Sequence, residues 1–204
     1  ALSFTAPDST LTIKNSAFKY NDNITKVILS NVTTIEDSAF DDCSKLAEID
    51  LGRHVTYIGE NAFQQTLSLS KLTLSDNIEF IGNNALWNAT FSELVIPATV
   101  ELIPADFYSK SSLKKITVDE ENKVYSSDDK GVLYNKDKSE LIKYPQSATA
   151  LSFTAPESTA TIKKSAFDNN INITTVVLSN VATIEDSAFY NCSKLSEINL
   201  GRHV

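Results

Sequence analysis

Thr33 to Val55 reads TTIEDSAFDDCSKLAEIDLGRHV, and Ala182 to Val204 reads ATIEDSAFYNCSKLSEINLGRHV. The two stretches belong to a longer duplication in which residues 1–55 recur at 150–204, with roughly three-quarters of the aligned positions identical. Inside each copy runs a finer pattern, I-x-x-x-A-F-x-x-x-x-x-L-x-x-I-x-L, which returns every 22 or 23 residues. Self-similarity at a period of ~20–29 residues marks a stack of coils rather than a closed globule. Apolar pairs two apart recur in each coil: Val27/Leu29, Ile49/Leu51, Leu72/Leu74, Leu94/Ile96, Ile116/Val118, Val176/Leu178 and Ile198/Leu200. A spacing of two places both side chains on one face of a short strand. Several strands lead through a turn to apolar pairs three apart, as in Val55/Ile58, Ile78/Ile81 and Val100/Ile103. The Ala-Phe element then follows, at Ala17-Phe18, Ala39-Phe40, Ala62-Phe63, Ala166-Phe167 and Ala188-Phe189, with Ala85-Leu86 as a variant. Polar stretches such as IEDSAFDDC predict one helical or 3₁₀ turn on the convex side.

The expected architecture is therefore an α/β solenoid, a right-handed superhelix with one parallel β-sheet. A single coil buries too few apolar side chains to offset the entropy of ordering its own backbone, so neighbours must supply the rest of the core. One step breaks the period, because 37 residues separate Val118 from Ala155 and no Ala-Phe element lies between. Gly131–Tyr134 and Leu141–Tyr144, joined by Asn135–Glu140 and stopped by Pro145, read as a β-hairpin inserted there. The chain divides into repeats over 1–118, a hairpin insertion over 119–149 and repeats over 150–204, one continuous repeat domain. Its lack of Met and its end in mid-repeat suggest a piece of a longer repetitive protein, whose cut ends would favour end-to-end association.

A formal charge of −8 and a pI near 4.8 argue against nucleic acid or an anionic membrane as partner. No apolar run approaches the ~18 residues of a membrane helix, so no membrane insertion is expected of this stretch. Only five glycines occur, with no phosphate-cradling loop. Cys43 and Cys192 are one repeated position, six rungs and on the order of 29 Å apart, far beyond the ~7 Å at which a disulfide closes. Their column otherwise reads Asn21, Thr66, Ala89, Lys110 and Asn170, which predicts a buried structural ladder interrupted by Lys110. His54 and His203 are likewise copies of one turn, with no partner for a catalytic dyad or metal site. No enzyme, metal or cofactor is expected.

The pattern Ile35-Glu-Asp-Ser-Ala39-Phe40-Asp-Asp-Cys43-Ser-Lys-Leu46-Ala-Glu-Ile49-Asp-Leu51 resembles the BspA-type leucine-rich repeat. The inserted YSSDDKGVLYNKDKSELIKYP is similar to a hairpin cassette found among those proteins. Departures are local: Leu86 stands for Phe, Asp106-Phe107 for Ala-Phe, and two deletions leave the coil from Leu86 to Phe107 short. The resemblance implies surface-exposed or secreted proteins of bacteria and mucosal protozoan parasites, often assigned to adhesion.

Candidate binding positions follow from the outward side of the strands. Lys26, Glu48, Lys71, Glu93 and Lys115 alternate in sign down the sheet, as register-setting ion pairs would. Ile28, Asp50, Thr73, Val95 and Thr117 form the next column, whose apolar members suit a partner on the concave sheet. A second candidate is an aromatic edge at Trp87 and Tyr108, extended by Tyr134 and Tyr144 of the hairpin. Two readings stand for the hairpin tyrosines, cover over an open flank or a projecting contact site. Trp87 likewise either pairs with Tyr108 in solvent or turns inward in its shortened coil. Asn23, Asn31, Asn88, Asn172 and Asn191 are N-glycosylation sequons that become relevant in a eukaryotic source. Together these features favour a cell-surface or extracellular binding module whose partner is a protein or glycan on host or neighbouring cells. A stiff spacer projecting another domain is the alternative.

Overall fold

Left-handed residues at a fixed interval shape six of the described turns. The computed structural model describes residues 2–70, 72–104, 106–108 and 112–201. Among the described residues thirteen non-glycine residues have positive φ, and all but Lys138 lie in the Ala-Phe turns, in pairs such as Ser16/Tyr20, Ser38/Asp42, Asn61/Gln65 and Ser165/Asn169. Such residues cannot extend a right-handed helix, and no helix occurs among the described residues. The expected helical turn is thus corrected, and the molecule is a β-solenoid of stacked coils. The geometry alternates the direction of successive N–H groups. Ala17, Lys19 and Asn21 donate three residues back within their own turn, whereas Ser16, Phe18 and Tyr20 donate to Asp37, Ala39 and Asp41 of the next coil. The pattern repeats at Ser38, Phe40 and Asp42, which donate to Glu60, Ala62 and Gln64 at 2.8 Å each.

Two parallel ladders run along the stack, where one was expected. In the main ladder Leu2–Thr5, Ile24–Ile28 and Glu48–Asp50 pair in order, Glu93–Ile96 pairs with Lys115–Val118, and Ser152–Thr154, Thr175–Leu178 and Glu197–Leu200 form the last group. Leu72–Leu74 occupies the corresponding place in its coil without strand pairing, so the ladder lapses there. A second ladder joins the two-residue strands Thr12–Ile13, Thr34–Ile35, Tyr57–Ile58 and Phe80–Ile81, with a further parallel bridge from Phe80 to Leu102. Its inward residues, Ile13, Ile35, Ile58 and Ile81, are buried. Ile58 and Ile81 are the second members of apolar pairs seen in the sequence.

Between the ladders the phenylalanines of successive turns stack: Phe18 on Phe40 at 5.1 Å and Phe40 on Phe63 at 5.5 Å, nearly parallel in both cases. Beyond the insertion the stack resumes from Tyr144 through Phe167 to Phe189, 4.8 Å at each step.

The insertion is an antiparallel meander of Tyr125–Ser127, Leu133–Asn135 and Glu140–Lys143. Its last strand pairs in parallel with Thr161–Ile162 and so enters the second ladder. Its first part covers the open edge of Lys115–Val118, where Ile116 donates to the Gly131 carbonyl at 3.1 Å and Val118 to Ser127 Oγ at 3.0 Å. Gly131, at φ +79°, approaches so closely that a Cβ would lie 2.8 Å from the Lys115 Cα. Alternate residues of the meander face opposite cores: Leu133 and Ile142 pack with the preceding coils, Val132, Tyr134, Leu141 and Tyr144 with the following ones.

The missing Ala-Phe element is replaced in kind. Tyr144 donates to the Ala166 carbonyl at 2.8 Å, the bond that Phe18 makes to Ala39, and Lys143 beside it is fully buried. The Lys143 ammonium bonds the Asp168 carboxylate at 2.7 Å and the Ser165 carbonyl at 2.8 Å, and lies 5.1 Å from the centre of the Tyr108 ring. Burial pulls the Lys143 pKa below its ordinary value despite the opposing charge of Asp168.

Both cysteines are free thiols in the expected column, each hydrogen-bonded through Sγ to a carbonyl of the preceding coil, Cys43 to Phe18 and Cys192 to Phe167. Thr66 in the same column is buried and bonds Phe63 O, while Lys110 and His203 lie outside the described residues. Cys43 is buried, but Cys192 is only half-buried, because no described coil stacks beyond it. The expected burial thus holds for Cys43 and is corrected for Cys192.

Two outcomes follow from this packing. Lys143→Ala removes a buried ammonium that bonds the Asp168 carboxylate and the Ser165 carbonyl, so urea denaturation should show a loss of about 3–5 kcal/mol; a loss below about 1 kcal/mol would contradict the assignment. Burial pushes both thiols up to about 11, so the reactive thiolate stays scarce until the pH approaches that value. Labelling of native protein should therefore keep accelerating with pH through 10, with Cys192 ahead of Cys43. A plateau near pH 9 would count against the burial of either thiol.

Candidate functional site

Outward-pointing residues of the main ladder share one face because alternate residues of a strand point the same way. Lys26 pairs in register with Glu48, and their side chains form an ion pair at 2.7 Å. Glu93 stands opposite Lys115, Ile28 opposite Asp50, and Val95 opposite Thr117. The sign alternation is thus placed on one face as expected, except that Lys71 lies outside the described residues. Exposed ion pairs of this kind contribute only ~0–1 kcal/mol, so they set register more than they hold the stack. Val95 is 57% exposed, an apolar side chain in the middle of this polar face.

The lapse in strand pairing at Leu72–Leu74 opens the face on both sides of Thr73. One recess of about 290 Å³ is lined by Ser70, Leu72, Thr73, Ser92, Glu93 and Val95. The other, about 240 Å³, is lined by Glu48 to Gly52 with Thr73 and Leu74. The first offers mainly apolar surface beside one carboxylate, and the second is more polar. Thr73 and Val95 therefore sit at a break in an otherwise flat surface, where a ligand side chain can enter.

The aromatic edge does not exist as a surface. Tyr108 is 1% exposed, packed edge-on against Phe107 at 4.6 Å and covered by Lys143. Tyr134 and Tyr144 are also buried, the first with its hydroxyl 3.2 Å from Asp128 Oδ2, the second stacked on Phe167. Burial holds all three phenols above their ordinary pKa. The physical reason is the absent Ala-Phe element: its volume is filled by these rings, so they serve as cover and not as contacts. Trp87 is half-buried and lines a broad polar recess of about 590 Å³ with Glu60, Asn83, Asn84, Asp106, Lys164 and Asp168. Two of the three carboxylates there are matched internally, Asp106 by Lys164 at 3.0 Å and Asp168 by Lys143, while Glu60 accepts from the Asn83 amide.

Four of the five sequon asparagines use their amide nitrogen between coils. Asn31 bonds Asp8 O, Asn88 bonds Gln65 Oε1, Asn172 bonds Ala148 O and Asn191 bonds Asn169 Oδ1, at 2.7 to 3.1 Å. A glycan on any of them would displace a rung contact, whereas Asn23 is exposed on a turn. His54 is exposed, and no group of three or more metal-ligating side chains comes together among the described residues.

One set of surface residues escaped the sequence reading. Tyr57, Phe80 and Leu102 occupy the outward positions of the second ladder, whose existence the apolar pairs three apart hinted at without revealing which residues lie between them.

Comparison with known proteins supports this architecture. The family described as BspA type leucine rich repeat region matches in six copies over residues 11–137 and 144–204. Among solved structures, a leucine-rich repeat protein from Eubacterium ventriosum is 28% identical over 97% of this chain and 59% of its own, with a TM-score of 0.87. The pneumococcal vaccine antigen PcpA is 25% identical, covering 99% and 61%, with a TM-score of 0.81. A leucine rich cell surface protein from Faecalibacterium prausnitzii is also 25% identical, covering 98% and 61%, with a TM-score of 0.74. The chain spans about three-fifths of the length of these structures. No curated protein matches.

Proposed function

The chain belongs to the BspA-type leucine-rich-repeat family, and we propose that it is a binding module displayed at a cell surface, whose main ladder receives a protein or glycan of a host or neighbouring cell. The observation that carries this reading is the pair of recesses on either side of Thr73, with Val95 exposed at the edge of the larger. A face evolved only to be solvated has no need of an exposed valine over an opening in its ladder. The surface location is supported by two similar proteins, one described as a cell surface protein and one as a vaccine antigen. Catalysis forms no part of the proposal.

The partner must span several coils. A stable interface takes about 800 Å² from each side, and one coil exposes only a few side chains. Glu48, Asp50 and Glu93 around the recesses favour ligand groups that donate hydrogen bonds, such as hydroxyls, amides or ammonium groups. The spacer reading draws on a different observation, the hydrogen bonds that tie successive coils together at both ladders and at every Ala-Phe turn, which make a stiff rod.

The test is binding of the purified chain to epithelial cells and to immobilised extracellular-matrix proteins. Val95→Asp should weaken binding by about tenfold or more, a change of about 1.4 kcal/mol, with the circular dichroism spectrum unchanged. Loss of the Lys26–Glu48 ion pair through Lys26→Ala should weaken it far less. If Val95→Asp binds as the parent does, the main ladder is not the site, and absence of binding by the parent would favour the spacer.

A further inference from the structure

The outward position of the second ladder is where the coils stop resembling one another. In the four coils of the duplicated segments it is threonine: Thr12, Thr34, Thr161 and Thr183. In the three coils between, it is Tyr57, Phe80 and Leu102, in direct register, and Val124 follows 22 residues later. Threonine already meets what a strand position requires, and the same backbone carries it four times. Stacking therefore does not call for the larger side chains, and burial does not explain them. Tyr57 is 36% exposed, Leu102 55% and Val124 38%, with Phe80 half-buried between them. The rings of Tyr57 and Phe80 stack at 4.9 Å and 13°, presenting one continuous apolar surface. At the other end, Val124 lines a recess of about 240 Å³ with Ile103, Tyr125 and Ile142, bordered by Glu140 and Lys163, 3.8 Å from each other.

The surroundings are negative along the aromatic half. Exposed Glu79 and Glu101 directly precede Phe80 and Leu102. Burial, followed by the charges of Asp37, Glu60 and Glu36, holds the Tyr57 phenol above its ordinary range. Glu36 is matched by Lys14, and the cations at the Val124 end are matched too, Lys123 by Glu121 and Lys163 by Glu185. Three rungs of ~4.8 Å give a stripe about 14 Å long, the span of four or five residues of extended chain at ~3.3 Å each. That is far less than a folded partner needs for a stable interface.

We propose that the Tyr57–Phe80–Leu102–Val124 stripe is a second docking surface, separate from the main ladder, for a short extended peptide segment that combines apolar side chains with Lys or Arg. The apolar side chains lie on the stripe and fill the recess at Val124, and the cations meet Glu79, Glu101 and Glu60.

The probe is a fluorescent heptapeptide alternating Lys with Leu and Phe, measured by anisotropy at physiological salt. Two controls accompany it, one with Glu for every Lys and one with Ser for every apolar residue. Only the first peptide should bind the parent chain. The combined variant Tyr57→Thr, Phe80→Thr, Leu102→Thr restores the residue that the other coils carry, and should lose about tenfold or more in affinity. Val95→Asp should bind the peptide as the parent does. Equal binding by the triple variant overturns the proposal, as does equal binding of either control peptide. Dimers in sedimentation that the triple variant abolishes would assign the stripe to a second copy of this chain instead. Should the triple variant fail to fold, Leu102→Thr combined with Glu101→Lys is judged by the same criterion.

Discussion

Everything in this molecule rests on the amide groups that leave the Ala-Phe turn for the next coil. A residue in the left-handed region costs about 1–2 kcal/mol when it is not glycine, and each turn holds two of them. What those residues achieve is to aim every second N–H along the solenoid axis, where a carbonyl of the next coil accepts it. Each such bond contributes a net ~0.5–1.5 kcal/mol, so a turn with three of them offsets its strain only when a neighbour is present. The coil is therefore not a unit that folds and then stacks; its conformation makes sense only within the stack.

That constraint explains the insertion better than the insertion's own sequence does. A 37-residue step could have ended the solenoid, yet the meander satisfies the edge of Lys115–Val118 on one side and supplies Tyr144 N–H to Ala166 on the other. The aromatic stack continues through Tyr144, and Lys143 finds its counter-charge at Asp168. Because the demands of stacking fall on the turns and the inward residues, the outward residues are left free to vary. It is there that the middle coils depart from the duplicated ones.

How much was legible follows from the same division. The coil period and the core lay open in the sequence because each rung needs the same apolar positions, from Val27/Leu29 to Val176/Leu178; Ile198 and Leu200, expected inside as well, are 40% and 44% exposed because no described coil stacks beyond them. The hairpin showed in Gly131–Tyr134 and Leu141–Tyr144 as two short apolar runs around a turn, though not its third strand, Tyr125–Ser127. The turn itself was misread. IEDSAFDDC suits a helical turn by composition, and the signal against one is subtle: Ser or Asn before each Ala, and mostly Asn, Asp or Gln four residues on, where left-handed backbone is best tolerated. The second ladder was missed because two-residue strands leave too short a period to see. For Tyr134 and Tyr144 the sequence leaves cover and contact both open, and for Tyr108 an exposed pairing with Trp87, because an aromatic side chain in a polar stretch resembles a contact until the volume it fills is known; burial decides all three for cover. The Lys26–Glu48 pairing was anticipated correctly since register follows directly from the period.

Amide hydrogen exchange, resolved residue by residue, tests the turn ladder most directly. In the interior coils Ser38, Phe40 and Asp42 should exchange as slowly as the buried strand amides of Val27 and Leu29, although Ser38 and Asp42 lie in a polar surface turn. Ser187, Phe189 and Asn191 hold the same positions in the last described turn, where no described coil accepts their amides, and in the 204-residue chain they should exchange orders of magnitude faster. Rapid exchange at Ser38, Phe40 and Asp42, matching that of Ser187, Phe189 and Asn191, would contradict the account.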